Sequence, residues 1–353
     1  MFWTRVLKNV GIPKSFKSSV YVKFLLLALG GILFARGNLI NWVATIIVAF
    51  AIIGNDSPQL IGTYLASKEN EKWYKTFFFV GSIFFIALCW AWYFQGGELH
   101  FKILNNIPYR EINSFYLAAP AVLLLLTHFG IPTSSTFLIL SIFMKGGDVF
   151  AMLTKTVTSY FFSCVFSGYA HYIALRKYGK YLLSPFEKQK ERMWNALQTL
   201  STVALVANWL FFSMSNVVAF LPRKFSGYDF VFFLIMLLSI LGLILSNKNN
   251  RMQRIVSSKK NAGNVRINTI INVVFALILF FFKTVNNISI ATTFVFLGVL
   301  AGKDIALLLN ERDAEKKNYR RTLSNILKDI NKCILGVGIS LIFFSVINFF
   351  NVL

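Results

Sequence analysis

The sequence predicts an all-α polytopic membrane protein, and three observations point to this fold class. Of its 353 residues, 56% are hydrophobic, and the mean hydropathy is +0.62, which is more apolar than a soluble domain of this length requires. The apolar residues come in runs long enough for a helix to cross a membrane. The alternating polar and apolar residues typical of a membrane β-barrel do not occur.

The excess of basic residues fits a membrane topology. Lys and Arg number 36 against 14 Asp and Glu, which gives a net charge of +22. The basic residues cluster in short segments between the apolar runs, where cytoplasmic loop charge and anionic lipid explain them. We therefore expect the lipid bilayer as a partner and no nucleic acid. The expected location is the cell (cytoplasmic) membrane, crossed several times, with the N-terminus in the cytoplasm.

The few cysteines and histidines argue against an enzyme. Cys89, Cys164 and Cys333 lie in or beside apolar runs without paired spacing, which indicates inert thiols. The three histidines are widely scattered, and no nucleophile–base pair or phosphate-binding glycine-rich loop is present. We therefore expect no metal centre, no cofactor and no enzymatic activity.

The chain divides into four parts. Residues 1–38 form a basic segment with a first span, and residues 39–176 form a first transmembrane repeat. Residues 177–194 form a basic cytoplasmic linker, and residues 195–353 form a second, inverted transmembrane repeat. The predicted architecture is an inverted-repeat transporter with about eight full spans plus two re-entrant hairpins of half-helices. Single spans are predicted at residues 20–34, 39–67, 76–94, 149–175, 197–220 and 231–245, and after Cys333.

A polar segment interrupts the apolar run that begins near Leu39. At 1.5 Å per residue, Asn55 and Asp56 lie roughly 24 Å along a helix from Leu39, deep in a hydrocarbon core of about 30 Å. A carboxylate there costs at least about 2.5 kcal/mol unless it meets a cation, a cavity or hydrogen-bond donors. Pro58 and the neighbouring glycines predict a broken helix. Such segments at mid-membrane are typical of solute-binding sites in transporters.

Two short apolar runs, 115–129 and 133–143, are too short to cross a membrane comfortably. The sequence Gly-Ile-Pro joins them and hydroxyl residues follow, which favours a re-entrant hairpin, although two full spans remain open. Runs 267–282 and 290–301 flank a similar polar break and predict a second hairpin.

The two halves can be superposed on each other. Thr136 and Thr293, each followed by Phe, lie 157 positions apart (293 − 136). The same offset places Asp56 on Ser213, in a span that runs in the opposite direction. This arrangement predicts an inverted repeat, which supports alternating access to a site at the membrane midplane.

The motifs in the first half resemble those of the inorganic phosphate transporter (PiT) family. The family signature Gly-x-Asn-Asp-x-x-Asn-x-x-Gly-Thr corresponds to Gly-Asn-Asp-Ser-Pro-Gln-Leu-Ile-Gly-Thr at residues 54–63, where the first glycine stands directly before the Asn-Asp pair. Its second signature, Gly-(Leu/Met)-Pro-Val-Ser-Thr-Thr-His, corresponds to Gly-Ile-Pro-Thr-Ser-Ser-Thr-Phe at residues 130–137. The second half keeps two threonines, but Phe212 and Ser213 replace the Asn-Asp pair.

The resemblance implies one phosphate site with its coupling cation, either Na⁺ or H⁺, and a homodimer. The implied phosphate-binding residues are Asn55, Ser134, Ser135, Thr136, Thr292 and Thr293. The implied cation-coupling residues are Asn55, Asp56, Ser213 and Asn216. Since Asp56 would repel an anion, its expected role is to hold Na⁺ or to be protonated. Lys283, before the second polar break, is a hypothetical counter-charge for the anion, and the alternative is a lysine that reaches the membrane interface.

The sequence thus favours a secondary active transporter of inorganic phosphate, coupled to Na⁺ or H⁺. Two alternatives stay open. A permease of the same fold for sulfate or another oxyanion would need the same hydroxyl and amide donors. A protein derived from the PiT family that no longer transports, and serves as a sensor or membrane partner, would explain the altered second repeat.

Overall fold

The structure is a computed structural model. It describes residues 23, 24, 26, 30, 37–68, 71–105, 107, 109, 112, 114–129, 131, 133–144, 146–184, 188–246, 264–286, 290–310 and 316–352. The predicted first span, residues 20–34, lies almost wholly outside the described residues.

Helices make up nearly all of the described chain. They are α1 (Asn38–Ser67), α2 (Trp73–Phe94), α3 (Ala118–Phe129), α4 (Ser135–Leu140), α5 (Gly146–Leu183), α6 (Lys188–Val217), α7 (Gly227–Ser246), α8 (Val265–Asn286), α9 (Thr292–Asn310) and α10 (Lys316–Val352). Short 3₁₀ turns lie at Ser114–Leu117, Ser141–Phe143 and Val218–Phe220. The described part of the chain contains no β-strand.

Eight of the described helices are long and apolar enough to cross a membrane: α1, α2, α5, α6, α7, α8, α9 and α10. The prediction of an all-α polytopic membrane protein is therefore confirmed. Helices α1 and α9 are the most enclosed, because 78% and 83% of their apolar windows are buried, whereas α2 and α10 present most of their surface outward. A helix that is apolar on all sides and buried forms the centre of a membrane bundle.

Helix α2 carries aromatic residues at both ends of its exposed surface. Trp73 and Tyr74 are exposed at its start, and Trp90 and Tyr93 are exposed near its end. At 1.5 Å per residue these pairs lie roughly 25–30 Å apart, which matches the distance between the two interfaces of a bilayer. Trp and Tyr are enriched at those interfaces.

Contacts between helices define the two ends of the bundle. At one end, the last turn of α1 packs against the first half of α6 and the start of α8, since Gln198 and Asn268 both donate to Ser67 Oγ, at 2.8 and 2.9 Å. We call this the basic end, because basic residues cluster along the chain there: Lys68, Lys72, Lys75, Arg176, Lys177, Lys180 and Arg192. At the opposite end, Asn41 donates to Tyr109 Oη and the Trp92 indole donates to the Phe225 carbonyl.

Helices α5 and α9 are in close backbone contact. A Cβ atom at Gly298 would lie 2.5 Å from the carbonyl oxygen of Tyr160. A Cβ at Gly302 would overlap the carbonyl oxygen of Cys164 and lie 2.6 Å from the Gly168 nitrogen. Small residues that allow such an approach are typical of helix pairs in membranes, where dispersion contacts drive association.

The two predicted hairpins differ in the lengths of their helices. Helices α3 and α4 have 12 and 6 residues, and the rings of Tyr116 and Phe143, which flank them, stack at 5.7 Å. Helices α8 and α9 have 22 and 19 residues, so each is long enough to cross a membrane alone. Two of the eight spanning helices are therefore ones that the sequence assigned to the second hairpin. Re-entry of either pair into the membrane stays a prediction.

The predicted linker, residues 177–194, is mostly helical. Helix α5 continues to Leu183, with a kink at Tyr178, and α6 begins at Lys188. Both helices extend beyond the apolar segments that predicted their ends, because basic residues such as Lys180 and Arg192 also favour helix.

Candidate functional site

The candidate site lies in the middle of α1, at Asn55 and Asp56. The sequence predicted a broken helix here, but α1 runs without interruption from Asn38 to Ser67 with Pro58 inside it. A proline removes one intrahelical donor, and membrane helices tolerate this where neighbouring groups satisfy the backbone. The side chains of Asn55 and Asp56 are fully buried. The polar pair is therefore held on a rigid helix inside the bundle.

The Asp56 carboxylate accepts hydrogen bonds only from uncharged groups among the described residues. Asn55 Nδ2 donates to Oδ1 at 2.7 Å, and Trp209 Nε1, from α6, donates to Oδ2 at 3.0 Å. Longer contacts of 3.5 Å join Gln59 Nε2 to Oδ1 and Ser135 Oγ to Oδ2. Neutral donors from α1, α4 and α6 thus surround the buried acid, which offsets part of its desolvation cost.

The start of α4 and the start of α9 both reach α1 at this level. Asn55 Nδ2 donates to the carbonyl oxygen of Thr133, just before α4, at 3.0 Å. Thr293 Oγ1, from the first turn of α9, lies 3.4 Å from the same carbonyl. Because Asn55 and Thr293 share this acceptor, the two hydroxyl-rich segments meet beside the polar pair, as the sequence predicted.

Two hydrogen bonds link the predicted repeats in a reciprocal way. Gln59 Nε2 of the first repeat donates to Thr293 Oγ1 of the second at 3.0 Å. Asn216 Nδ2 of the second repeat donates to Thr136 Oγ1 of the first at 2.9 Å. Gln59 and Asn216 are separated by the same 157 positions as Thr136 and Thr293 (216 − 59). Each amide therefore holds the hydroxyl segment of the other half.

Most of the predicted site residues come together here. Four are joined by hydrogen bonds around the polar pair, namely Asn55, Asp56, Ser135 and Thr293, while Thr136, next to Ser135 in the chain, is bonded to Asn216. Ser134 caps α4 instead, since its Oγ accepts from the Phe137 amide at 2.9 Å. Thr292 is buried at the first position of α9, and Ser213 is buried on α6 between Trp209 and Asn216. The side chain of Lys283, in α8, lies outside the described residues.

Sequence reasoning missed Gln59 and Trp209. Gln59 lies one turn after Asp56, where the family signature has its second Asn, so the motif itself contained this signal. Trp209 lies in the middle of a spanning helix, whereas tryptophan is normally enriched at membrane interfaces. A buried indole needs an acceptor, and at this depth the Asp56 carboxylate provides it.

Several buried oxygens near the network have no hydrogen-bond donor among the described residues. They are Asn55 Oδ1, Gln59 Oε1, Ser213 Oγ and Asn216 Oδ1. Buried polar atoms without a partner are costly and usually indicate a ligand, water or ion. Uncharged oxygens beside a carboxylate are the ligands that a hard cation such as Na⁺ prefers. The network thus has the donor set for a small cation.

Other features of the described chain lie away from this network. No group of three or more His, Cys, Asp or Glu side chains suited to a metal ion occurs among the described residues. A surface pocket at the opposite end is lined by Asn41, Trp42, Leu221, Pro222, Lys224, Phe225 and Asp229. Asn41 precedes Asp56 by 15 positions, or about 22 Å of helix, so this pocket is distinct from the candidate site.

Comparison with protein-family models, with curated proteins and with solved structures finds no match to this chain. The resemblance to the PiT family therefore rests on the two motifs alone and stays a prediction.

Proposed function

We propose that this chain is a secondary active transporter of inorganic phosphate, coupled to Na⁺ or H⁺. The observation that carries the proposal is the buried carboxylate of Asp56, which pairs with no cationic side chain among the described residues. An ionisable residue held inside a membrane bundle is costly, and in membrane proteins such residues mark ion and substrate pathways. A coupling cation beside Asp56, or a proton on it, would neutralise the charge during each transport cycle.

The surrounding groups suit a tetrahedral oxyanion. Ser135, Thr136 and Thr293 supply hydroxyls from two segments that meet at the site. Helix α9 begins at Thr292, and the first turn of a helix presents free N–H groups and positive potential to an anion. Since all these donors are uncharged, the anion's charge would be balanced by the coupling cation. Sulfate has the same shape and enters the test as a competitor.

A second candidate function is favoured by Trp209 and Phe212. The indole of Trp209 occupies one oxygen of Asp56, where a coupling cation would bind, and Phe212 replaces the asparagine of the Asn-Asp pair in the second repeat. A PiT-derived protein that binds phosphate without moving it, and acts as a sensor or membrane partner, would keep the hydroxyl segments and lose the second cation ligand. The contact of Trp209 and the replacement at Phe212 are both consistent with such a role.

Uptake of radiolabelled phosphate into proteoliposomes tests the proposal. We expect uptake driven by a Na⁺ or pH gradient, and we expect Asp56→Asn to reduce it at least about a hundredfold, because the amide keeps the shape but cannot bind a cation or proton. Asp148→Asn, at an exposed position of α5, is the matched control and should leave uptake unchanged. Full uptake in Asp56→Asn would overturn the assignment. Binding of phosphate without uptake by the unmodified chain would favour the sensor.

A further inference from the structure

A second buried polar network lies between the candidate site and the basic end. It consists of six uncharged side chains, two from each of three helices, and we call it the polar seam: Thr63 and Ser67 (α1), Gln198 and Thr202 (α6), Asn268 and Asn272 (α8). We propose that the polar seam is the passage through which the solute moves between the site and the basic end. This inference rests on the proposed function of the site.

Hydrogen bonds across the three helices close the seam in this structure. Gln198 Nε2 donates to Ser67 Oγ at 2.8 Å and lies 3.3 Å from the Thr63 carbonyl. Asn268 Nδ2 donates to the same two groups, at 2.9 and 3.0 Å. Each amide therefore bridges both acceptors on α1. At least one of these helices must move to open the path.

The other half of the seam continues toward the site. Thr63 Oγ1 donates to Asn272 Oδ1 at 2.7 Å, and Asn272 Nδ2 donates to Thr202 Oγ1 at 3.0 Å. A chain of bonds thus runs from α1 through α8 to α6. Gln198 Oε1 is buried without a hydrogen-bond donor among the described residues, so this oxygen can still accept a hydrogen bond.

The seam and the site lie along the same face of α1. On α1, the polar positions are 56, 59, 63 and 67, which follow each other by three or four residues and so share one helix face. On the facing helix α6, positions 198 and 202 belong to the seam and positions 209, 213 and 216 to the site, and buried Leu205 and Val206 separate the two groups. The contacts of Ser67 with Gln198 and of Asp56 with Trp209 show that the two faces oppose each other along their length.

On the other side of the site, the face of α1 that carries Asp56 becomes apolar. The α1 positions one and two turns before Asp56 are Ile52 and Val48, both fully buried. Beyond α4, the ring of Phe143 meets that of Phe220 at 5.3 Å. A hydrated ion would lose its water against such surfaces without replacement. Along this face of α1, the two turns before Asp56 are therefore apolar, whereas the turns after it carry the polar residues of the seam.

The chemistry of the seam suits passage of both an anion and a cation. Hydroxyls and amides donate and accept hydrogen bonds, so they can replace water around either charge. Since the seam side chains carry no charge, neither ion would be trapped. The alternative is that these polar groups only hold the helices together, as hydrogen bonds do in other membrane bundles. The two roles differ in whether the seam meets water during transport.

Cysteine accessibility in the full chain distinguishes the two roles. Thr63→Cys and Ser159→Cys place a thiol at two positions that are equally enclosed, with 2% and 0% exposure, but only the first lies in the seam. The background replaces Cys89, Cys164 and Cys333 by alanine, and a charged thiol reagent is applied to both faces of proteoliposomes supplied with phosphate and cation. We expect Thr63→Cys to react at least about tenfold faster than Ser159→Cys, because opening during transport admits water.

If both thiols reacted equally slowly, the proposal that the seam is a passage would be overturned. Thr202→Cys, on α6, provides a second seam position should Thr63→Cys fail to fold. The result also separates this inference from the proposed function. Phosphate uptake with an inert seam would refute the passage and leave the transport proposal intact. A reactive seam in a chain without uptake would support a water-accessible path and refute the transport of phosphate.

Discussion

The hydrogen bond from Trp209 to the buried Asp56 is the contact in this site that has no counterpart in either motif. The indole provides one of the two shorter hydrogen bonds to a carboxylate that has lost all contact with bulk solvent. Hydrogen bonds to charged groups contribute about 1.5–3 kcal/mol, more than those between neutral groups. The same indole packs against Phe84, with ring centroids 5.8 Å apart, so the ring also fills space beside the acid.

Trp209→Phe is expected to lower the free energy of unfolding by about 1.5–3 kcal/mol, because it keeps the aromatic packing and removes the donor to Asp56. Chemical unfolding in detergent, followed by circular dichroism, measures the change. Trp194→Phe is the matched control, since its indole donates at 2.8 Å to the neutral hydroxyl of Tyr181 and should cost about 1 kcal/mol. Equal losses in both variants would show that Trp209 does not stabilise a charge.

Gly302 shows how a single position controls the packing of two elements. Gly302→Ala should destabilise the protein by several kcal/mol or prevent its assembly, because the added carbon would meet the α5 backbone, which cannot move aside as a side chain does. Gly179→Ala, also helical but with open space around the new carbon, should be neutral or stabilise by about 0.5–1 kcal/mol. Melting temperatures in detergent test this. A tolerated Gly302→Ala would contradict the close approach of α5 and α9.

The elements themselves were largely predictable from the sequence. Apolar runs of spanning length identified six of the eight long helices, while α8 and α9 were assigned to the second hairpin, and hydroxyl residues marked the start of α4. The continuity of α1 was not predictable, because local rules for Pro58 do not include the neighbouring helices that enclose it. The length of α8 was also missed, since its last turn contains Lys283 and polar residues that resemble a loop.

At the scale of the whole molecule, two reciprocal hydrogen bonds relate the two halves: Gln59 donates to Thr293, and Asn216 donates to Thr136. That the hydroxyl segments meet the Asn-Asp pair could be predicted, because the resemblance to the PiT family implies that both motifs surround one site. The Trp209 contact could not, since Trp209 has no counterpart in either motif and its partner depends on how α6 packs against α1. The spacing of the repeats thus predicts the contacts that occur in both halves, whereas contacts that occur in only one half depend on how the helices pack.

Gln59→Leu and Asn216→Leu should reduce phosphate uptake by similar factors, about tenfold each, because each removes one amide that holds a hydroxyl segment and leaves that hydroxyl without its donor. Proteoliposome uptake measures both. Asn208→Leu is the control, since Asn208 is half-buried on α6 and, among the described residues, donates to the Ala204 carbonyl of its own helix. If one amide proved dispensable while the other was essential, the functional equivalence of the halves would be refuted.

The orientation of the bundle follows from the clustering of basic residues at one end. Because cytoplasmic loops carry an excess of Lys and Arg, we expect the basic end to face the cytoplasm and the opposite end to face outward. Lys72→Cys and Ser226→Cys place exposed thiols at the basic and opposite ends, respectively, in a background without other cysteines. An impermeant maleimide applied to intact cells should label Ser226→Cys and leave Lys72→Cys unmodified until the membrane is opened. The reverse pattern would invert the orientation, and labelling of both thiols from outside would refute the assignment of these segments to opposite faces.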